Sequence, residues 1–173
     1  MKRSKIISLG AITTAISVVF LALGAYIDVL DLSCLFMASL MIMIPLSKKT
    51  VKCAILSYIA TCLLSLLFTM GTGKFAISAL YAVFFGFHPI VNYIEKEKHL
   101  NKILLFIIKD VWFIGTLLLS YYAFTLFTDI PEFVAKYALY IIIIGGAICF
   151  IAYDFIMKRF QYLTENLITR LKL

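Results

Sequence analysis

The sequence predicts an all-α, polytopic membrane protein with six transmembrane helices in one bundle. Of its 173 residues, 64% are hydrophobic and 14% are charged, whereas a soluble domain is about half apolar and about one quarter charged. The mean hydropathy is +1.05. A helical crossing needs about 20 apolar residues, so this length holds roughly six crossings with short loops. We therefore expect a single integral membrane domain over residues 1–173.

The apolar runs give the order of the helices. The first run, Ile6–Ile27, has 22 residues and follows a basic segment. It is too long for a signal-peptide core and ends at a poor cleavage site, so we predict that it is the first transmembrane helix. The second run, Leu32–Leu46, has 15 residues. Such a helix covers about 22 Å of a core that is roughly 30 Å thick, so it is expected to be short or recessed below the outer surface.

The remaining runs complete the six helices. The third, fourth and sixth spans are predicted at about Cys53–Met70, Phe75–Ile94 and Val134–Met157, with a polar, helical tail over 158–173. The fifth is harder to delimit, because Lys109 and Asp110 interrupt it. Either the stretch 103–108 lies along the cytoplasmic interface, which we favour, or a neutralising Lys-Asp pair enters the membrane.

The basic residues predict the orientation. Thirteen of the 16 Lys and Arg residues flank the runs on the side of the N-terminus, and only Lys74 and Lys136 fall on the other side, with Lys109 undecided. Cytoplasmic loops carry the excess of basic residues. We therefore expect a multi-pass protein of the cell membrane with cytoplasmic N- and C-termini. The net charge of +7 follows from this topology, so no nucleic acid partner is expected.

No constellation for catalysis is visible in the sequence. The two histidines, His88 and His99, have no Asp, Glu or Cys at metal-ligand spacing. His88, beside Pro89, is interpreted as a packing residue, and the four cysteines as buried small hydrophobes. The glycines around Thr72 do not form a nucleotide-binding loop. We expect no enzyme, no catalytic residue, no metal and no cofactor.

Acidic residues are expected to be absent from the midplane of the membrane. Asp154 lies near a cytoplasmic end and has Lys158 four residues on. This spacing favours a simple ion pair along one helix. A gradient-driven carrier usually keeps ionisable groups deep in the membrane, so the energy for any active transport is expected to come from another subunit.

The first helix carries a stripe of small residues. Its members recur at steps of three and four, which places them on one face: Ala11, Ala15, Val18, Ala22 and Ala25, widened by Gly10, Thr14, Ser17 and Gly24. Small residues let another helix approach closely. Packing within the bundle and docking to another protein are both open.

The stretch 7–17, the six-helix plan and the Ala-x-x-x-Ala spacing of Ala11 and Ala15 resemble the substrate-binding S component of an energy-coupling factor transporter. The resemblance covers the layout of the whole chain, and its one local motif is Ala-x-x-x-Ala. It implies that Ala11 and Ala15 contact a transmembrane coupling subunit that is joined to two cytoplasmic ATPases. It also implies a small-molecule substrate, a vitamin-like micronutrient, bound by the outer loops and the outer halves of the last three helices.

The outward face is therefore the candidate substrate-binding mouth. Aromatic faces with a few hydrogen-bonding groups suit such a ligand, and the candidate residues are Tyr26, Asp28, Asp31, Thr72, Tyr122, Asp129 and Tyr137. Lys74 lies in the same outer turn as Thr72. Each group also has an ordinary interpretation. Tyrosines form interfacial belts in membrane proteins, and Asp28 and Asp31 also suit a solvated turn.

Two functions from different classes follow. The first is a membrane-embedded binding subunit for nutrient uptake, energised by partner ATPases. The second is a non-transporting scaffold or assembly subunit of another complex, in which the small-residue stripe only holds a partner. The sequence does not specify the substrate.

Overall fold

The computed structural model describes residues 3–71, 73–98, 100–125 and 131–170, apart from the side chains at positions 28, 124, 132–135, 168 and 169. This part of the chain is helical and contains no strand. The helices are α1 (Arg3–Tyr26), α2 (Asp31–Met41), α3 (Met43–Ser47), α4 (Val51–Met70), α5 (Phe75–Leu80), α6 (His88–Glu97), α7 (Lys102–Thr125), α8 (Glu132–Tyr140) and α9 (Gly146–Arg170). A 3-10 turn at Asp28–Leu30 precedes α2, and π-helical segments at Tyr81–Phe85 and Ile141–Gly145 follow α5 and α8.

Five helical stretches in the described residues are long and apolar enough to cross a membrane. They are Arg3–Tyr26, Val51–Met70, Phe75–Glu97, Lys102–Ala123 and Lys136–Leu167. A sixth apolar stretch, Asp31–Ser47, is shorter. The all-helical class is confirmed, and the protein has the helices of a membrane protein. The second stretch is short, as predicted, and is divided between α2 and α3.

The fifth helix differs from the favoured prediction. No separate interfacial segment exists at 103–108, because α7 runs without a break from Lys102 to Thr125. The charged residues Lys109 and Asp110 lie inside the apolar stretch rather than before it. At the other end of the chain the predicted helical tail is confirmed as far as Arg170, where α9 ends.

The chain divides into two compact units, which are described one at a time. The first comprises residues 1–97 together with 157–173, and the second comprises residues 98–156. The helix α9 contributes its first part to the second unit and the remainder to the first. The prediction of a single membrane domain stays a prediction.

In the first unit, α1 packs against α2 and α4. The Ser57 hydroxyl donates to the Gly10 carbonyl oxygen at 3.1 Å, and the Cys53 thiol reaches the Ile6 carbonyl oxygen at 3.3 Å. A Cβ at Gly10 would lie 3.0 Å from Cys53 Sγ, so glycine permits this close approach. Small side chains and their hydrogen bonds to a neighbouring backbone are the usual means of packing helices in a membrane.

In the second unit, α7 and α9 pack antiparallel in a regular register. The Phe150 ring, which is fully buried, contacts the Phe106 and Phe113 rings at centroid distances of 5.3 and 5.7 Å. One turn away along α9, a Cβ at Gly146 would lie 3.1 Å from Leu117. Partners on both helices therefore recur every four residues, which keeps one face of each helix against the other.

Candidate functional site

The small-residue stripe of α1 is divided between two faces. Ala11 and Ala15 are exposed, which here means that the rest of the described chain does not cover them. Thr14, Ser17 and Val18 are buried. Of the remaining members, Gly24 and Ala25 are buried, whereas Gly10 and Ala22 are half-buried. One part of the stripe therefore packs within the chain, and Ala11 and Ala15 lie outside that packing.

Hydrogen bonds explain why one side of the stripe is buried against α2 and α4. The Thr14 hydroxyl donates to the Ser57 carbonyl oxygen at 3.4 Å, and the Ser17 hydroxyl donates to the Ala38 carbonyl oxygen at 3.1 Å. These contacts turn the polar side of the stripe toward α4 and α2. Ala11 and Ala15, which have no polar group to satisfy, remain on the uncovered side.

At the predicted mouth, the structure brings together two charged residues of the first unit. The Lys74 Nζ atom lies 3.8 Å from Asp31 Oδ1, and the two side chains are about one third exposed. Asp31 is the first residue of α2, and Lys74 immediately precedes α5. The Asp31 Oδ1 atom itself is shielded from solvent. An acceptor and a donor from separate turns are thus adjacent.

Four other candidates are less informative. Tyr26 ends α1 and is 70% exposed. Asp28 begins the 3-10 turn, and its side chain lies outside the described part of the structure. Thr72 and Asp129 also lie outside the described residues. Their assignment to the mouth therefore stays a prediction.

Two predicted tyrosines belong to the second unit. The Tyr122 ring meets the Tyr121 ring edge-on at a centroid distance of 5.7 Å, and Tyr137 has the Lys136 ammonium 5.7 Å above its ring. Both rings are about half-exposed. They are available to a ligand or to the membrane interface, and both interpretations of these tyrosines stay predictions.

A buried ion pair in the second unit was not predicted from the sequence. Lys109 Nζ lies 3.2 Å from Asp154 Oδ1, and the side chains are only 6% and 4% exposed. Lys158, which was expected to neutralise Asp154 along the helix, lies 3.6 Å from Glu95 Oε1. The sequence does contain a sign of this pair. Lys109 and Asp154 both lie inside apolar runs, and charges in such runs usually pair within the protein.

The prediction that all four cysteines are buried is wrong for two of them. Cys34 and Cys53 are buried, but Cys62 is half-buried and Cys149 is exposed. A membrane helix exposes apolar side chains to lipid at no cost, so membership of an apolar run does not predict burial. His88 is buried, and its ring lies 5.3 Å from the Phe84 ring, as expected for a packing residue.

No family model matches this chain, and no curated protein or solved structure shows significant similarity to it. The function is therefore inferred from the residues themselves. Within the described residues, no group of three His, Cys, Asp or Glu side chains could hold a metal ion. The features that bear on function are the uncovered alanines, the Asp31–Lys74 pair and the buried Lys109–Asp154 pair.

Proposed function

We propose that this protein is a membrane-embedded binding subunit for uptake of a vitamin-like micronutrient, energised by a transmembrane coupling subunit and two cytoplasmic ATPases. It lies in the cell membrane with both termini in the cytoplasm. It is not an enzyme, and its partners are the small-molecule substrate, the coupling complex and the lipid bilayer. These assignments agree with the resemblance to S components of energy-coupling factor transporters.

The observation that carries this proposal is the exposure of Ala11 and Ala15. If the Ala-x-x-x-Ala spacing served packing within the chain, these residues would face α2 or α4. They lie instead on the side of α1 that the described chain leaves uncovered. Large apolar residues, Ile12 and Ile16, adjoin them on the same helix and are also exposed. A second helix can therefore approach the backbone of α1 closely at the alanines.

The outer end of the first unit supports a binding role. Asp31 and Lys74 place an acceptor and a donor next to each other, and Tyr26 adds an exposed aromatic ring. A few polar groups beside aromatic surface fix the orientation of a small ligand. The buried charges of the second unit, Lys109 and Asp154, form an ion pair with each other. Because each charge already has a partner, the pair gives little support to an ion-coupled carrier.

Tryptophan substitutions in α1 test the proposal. Ala11→Trp and Ala15→Trp should each separate the protein from a partner complex that contains an ATPase, because the bulky ring prevents close approach of the helices. A small molecule should still be released from the purified variants and detected by mass spectrometry. Ile16→Trp is the matched control, since it enlarges a side chain that is already bulky and exposed, and the complex should persist.

Two results would contradict the proposal. Release of no small molecule from the wild-type protein, together with a constant partner that lacks an ATPase, would favour the scaffold or assembly subunit. Loss of folding in both alanine variants but not in Ile16→Trp would show that the alanines pack within the chain. Thermal unfolding of the purified variants separates this outcome from a loss of docking.

A further inference from the structure

Four lysines lie at one end of the first unit, and together they form the basic corner. They are Lys5 in the first turn of α1, Lys48 and Lys49 in the turn between α3 and α4, and Lys52 in the first turn of α4. The Cys53 thiol reaches the Ile6 carbonyl oxygen at 3.3 Å, so the starts of α1 and α4 are in direct contact. Three of the lysines are exposed, and Lys48 is half-buried.

The turn that carries Lys48 and Lys49 is held by hydrogen bonds. After α3, the Thr50 amide donates to the Pro45 carbonyl oxygen at 3.1 Å, and the Lys49 amide donates to the Leu46 carbonyl oxygen at 2.8 Å. This pair of bonds is the Schellman motif that ends many helices. The Thr50 hydroxyl also donates to the Pro45 carbonyl oxygen, at 2.7 Å. The backbone of the turn is therefore fixed before any ligand binds.

Lys49 occupies the position of this motif that favours glycine. Its φ is 56°, in the left-handed region, where a residue with a Cβ is strained. No other described residue with a side chain has a positive φ. Such an unfavourable conformation persists only where the surroundings hold it, and it often lies at a functional site. A lysine here supplies a charge that glycine would not.

The lysines of the basic corner have no acidic partner among the described residues. The ion pairs described in this unit use other residues: Lys74–Asp31, Lys96–Glu165 and Lys158–Glu95. The acids of residues 1–70 are Asp28 and Asp31, which follow the opposite end of α1. Like charges that lie together repel one another, so a bound anion would relieve this repulsion.

The basic corner adjoins an apolar surface on α4. Lys52 lies at the beginning of Val51–Met70, a stretch that is long and apolar enough to cross a membrane. Steps of four, three and four residues from Lys52 lead along one face to Leu56, Ile59 and Leu63, which are 67%, 46% and 63% exposed. One surface therefore offers positive charge at its end and uncovered apolar side chains along its length.

We propose that the basic corner binds the headgroup of an anionic phospholipid. Clusters of about four to eight basic residues beside a membrane helix recognise such headgroups, and a phosphate accepts strong hydrogen bonds from charged donors. The exposed leucines on α4 favour a lipid over a soluble phosphate, because they offer a surface to its acyl chains. The proposal does not depend on the uptake function proposed above.

Lipid titration of the full chain in an uncharged detergent tests the proposal, with bound lipids counted by native mass spectrometry. Phosphatidylglycerol should bind more tightly than phosphatidylcholine. The double variant Lys49→Gln with Lys52→Gln should bind phosphatidylglycerol about 25-fold more weakly, since each base contributes about fivefold. The matched control, Arg159→Gln with Arg170→Gln, removes two charges from exposed positions on α9 and should keep the affinity of the wild type.

Several outcomes would overturn the proposal. Equal losses in the two double variants would show attraction by net charge rather than a site. Equal affinity of the wild type for phosphatidylglycerol and phosphatidylcholine would show that headgroup charge is not recognised. Inorganic phosphate that displaces phosphatidylglycerol at equal concentration would identify a soluble anion as the ligand. Loss of a copurifying protein from Lys49→Gln with Lys52→Gln, at unchanged phosphatidylglycerol affinity, would identify an acidic protein surface instead.

The variant Lys49→Gly separates the charge from the fold. Glycine adopts the left-handed conformation without strain, so the melting temperature should not fall. The affinity for phosphatidylglycerol should nevertheless fall about fivefold, because one charge is lost. Full affinity in this variant would overturn the proposal, since the strained lysine would then have no part in binding.

Discussion

The Lys109 ammonium lies 3.2 Å from the Asp154 carboxylate, and both side chains are almost fully buried. The pair occupies the same register between α7 and α9 as the contact of Phe113 with Phe150, one turn away. In a low-dielectric interior an ion pair contributes little net stability, but a single buried charge without its partner is strongly unfavourable. The pair therefore contributes little net stability while both partners are present, and loss of one partner would leave a buried charge.

Removal of one charge should destabilise the protein more than removal of both. Lys109→Met should lower the free energy of unfolding by about 3 kcal/mol, because Asp154 is left buried without this cation. The double variant Lys109→Met with Asp154→Leu should recover most of that loss. Thermal unfolding in detergent measures both effects.

The exposed pair of Lys96 and Glu165 is the matched control. The Lys96 side chain is 59% exposed, and surface pairs contribute at most about 1 kcal/mol. Lys96→Met should therefore change stability little. A double variant of the buried pair that is no more stable than Lys109→Met would contradict the unpaired Asp154 charge as the cause of the loss.

Gly86 in the fourth span has no room for a side chain. A Cβ there would lie 2.7 Å from the Tyr81 ring and 2.8 Å from the Tyr58 ring. Gly86→Ala should therefore destabilise the protein by about 1–3 kcal/mol through overpacking. Gly115→Ala, in the middle of α7 with nothing within 4 Å of its Cβ, should stabilise the protein by about 0.5–1 kcal/mol, because alanine favours a helix. Thermal unfolding should show lower stability for Gly86→Ala and higher stability for Gly115→Ala. Equal changes in stability would contradict the close packing at Gly86.

The sequence was sufficient to predict the helices whose positions depend on the length of an apolar run. The five long helices and the shorter Asp31–Ser47 stretch follow from runs of apolar residues and the polar turns between them. The continuity of α7 could not be predicted in this way. Hydropathy shows that Lys109 interrupts an apolar run, but only the packing of α9 reveals that Asp154 neutralises it.

The candidate site was predictable only in part, for a related reason. Periodicity placed Ala11 and Ser17 in one broad stripe of α1, but it could not show which edge α2 and α4 cover. The hydrogen bond from Ser17 to Ala38 decides that question, and it depends on a helix that is distant in sequence. The proximity of Lys74 to Asp31 was likewise hidden, because two separate turns supply the residues.

The proposed orientation can be tested with single cysteines. Gly71→Cys adds a side chain where nothing lies within 4 Å, and Lys98→Cys replaces an exposed residue. In a background with the four native cysteines replaced, a membrane-impermeant maleimide should label position 71 in intact cells and should label position 98 only after permeabilisation. The excess of basic residues on one side is the reason for this expectation. Labelling of position 98 in intact cells would reverse the topology.

The last prediction concerns Asp31 and depends on the proposed binding function. Its Oδ1 atom is shielded, and Lys74 Nζ lies 3.8 Å from it, a separation too long for a direct hydrogen bond. A ligand group that reached Asp31 would complete its hydrogen bonding. Asp31→Asn should therefore weaken ligand binding by about 1–3 kcal/mol, the cost of an unmatched buried polar partner. Stability should change by less than about 1 kcal/mol, since the pair is partly exposed. Titration calorimetry with the ligand identified by mass spectrometry measures the affinity. Unchanged affinity in Asp31→Asn, with binding intact in the wild type, would show that the turn is only solvated and would place the ligand elsewhere.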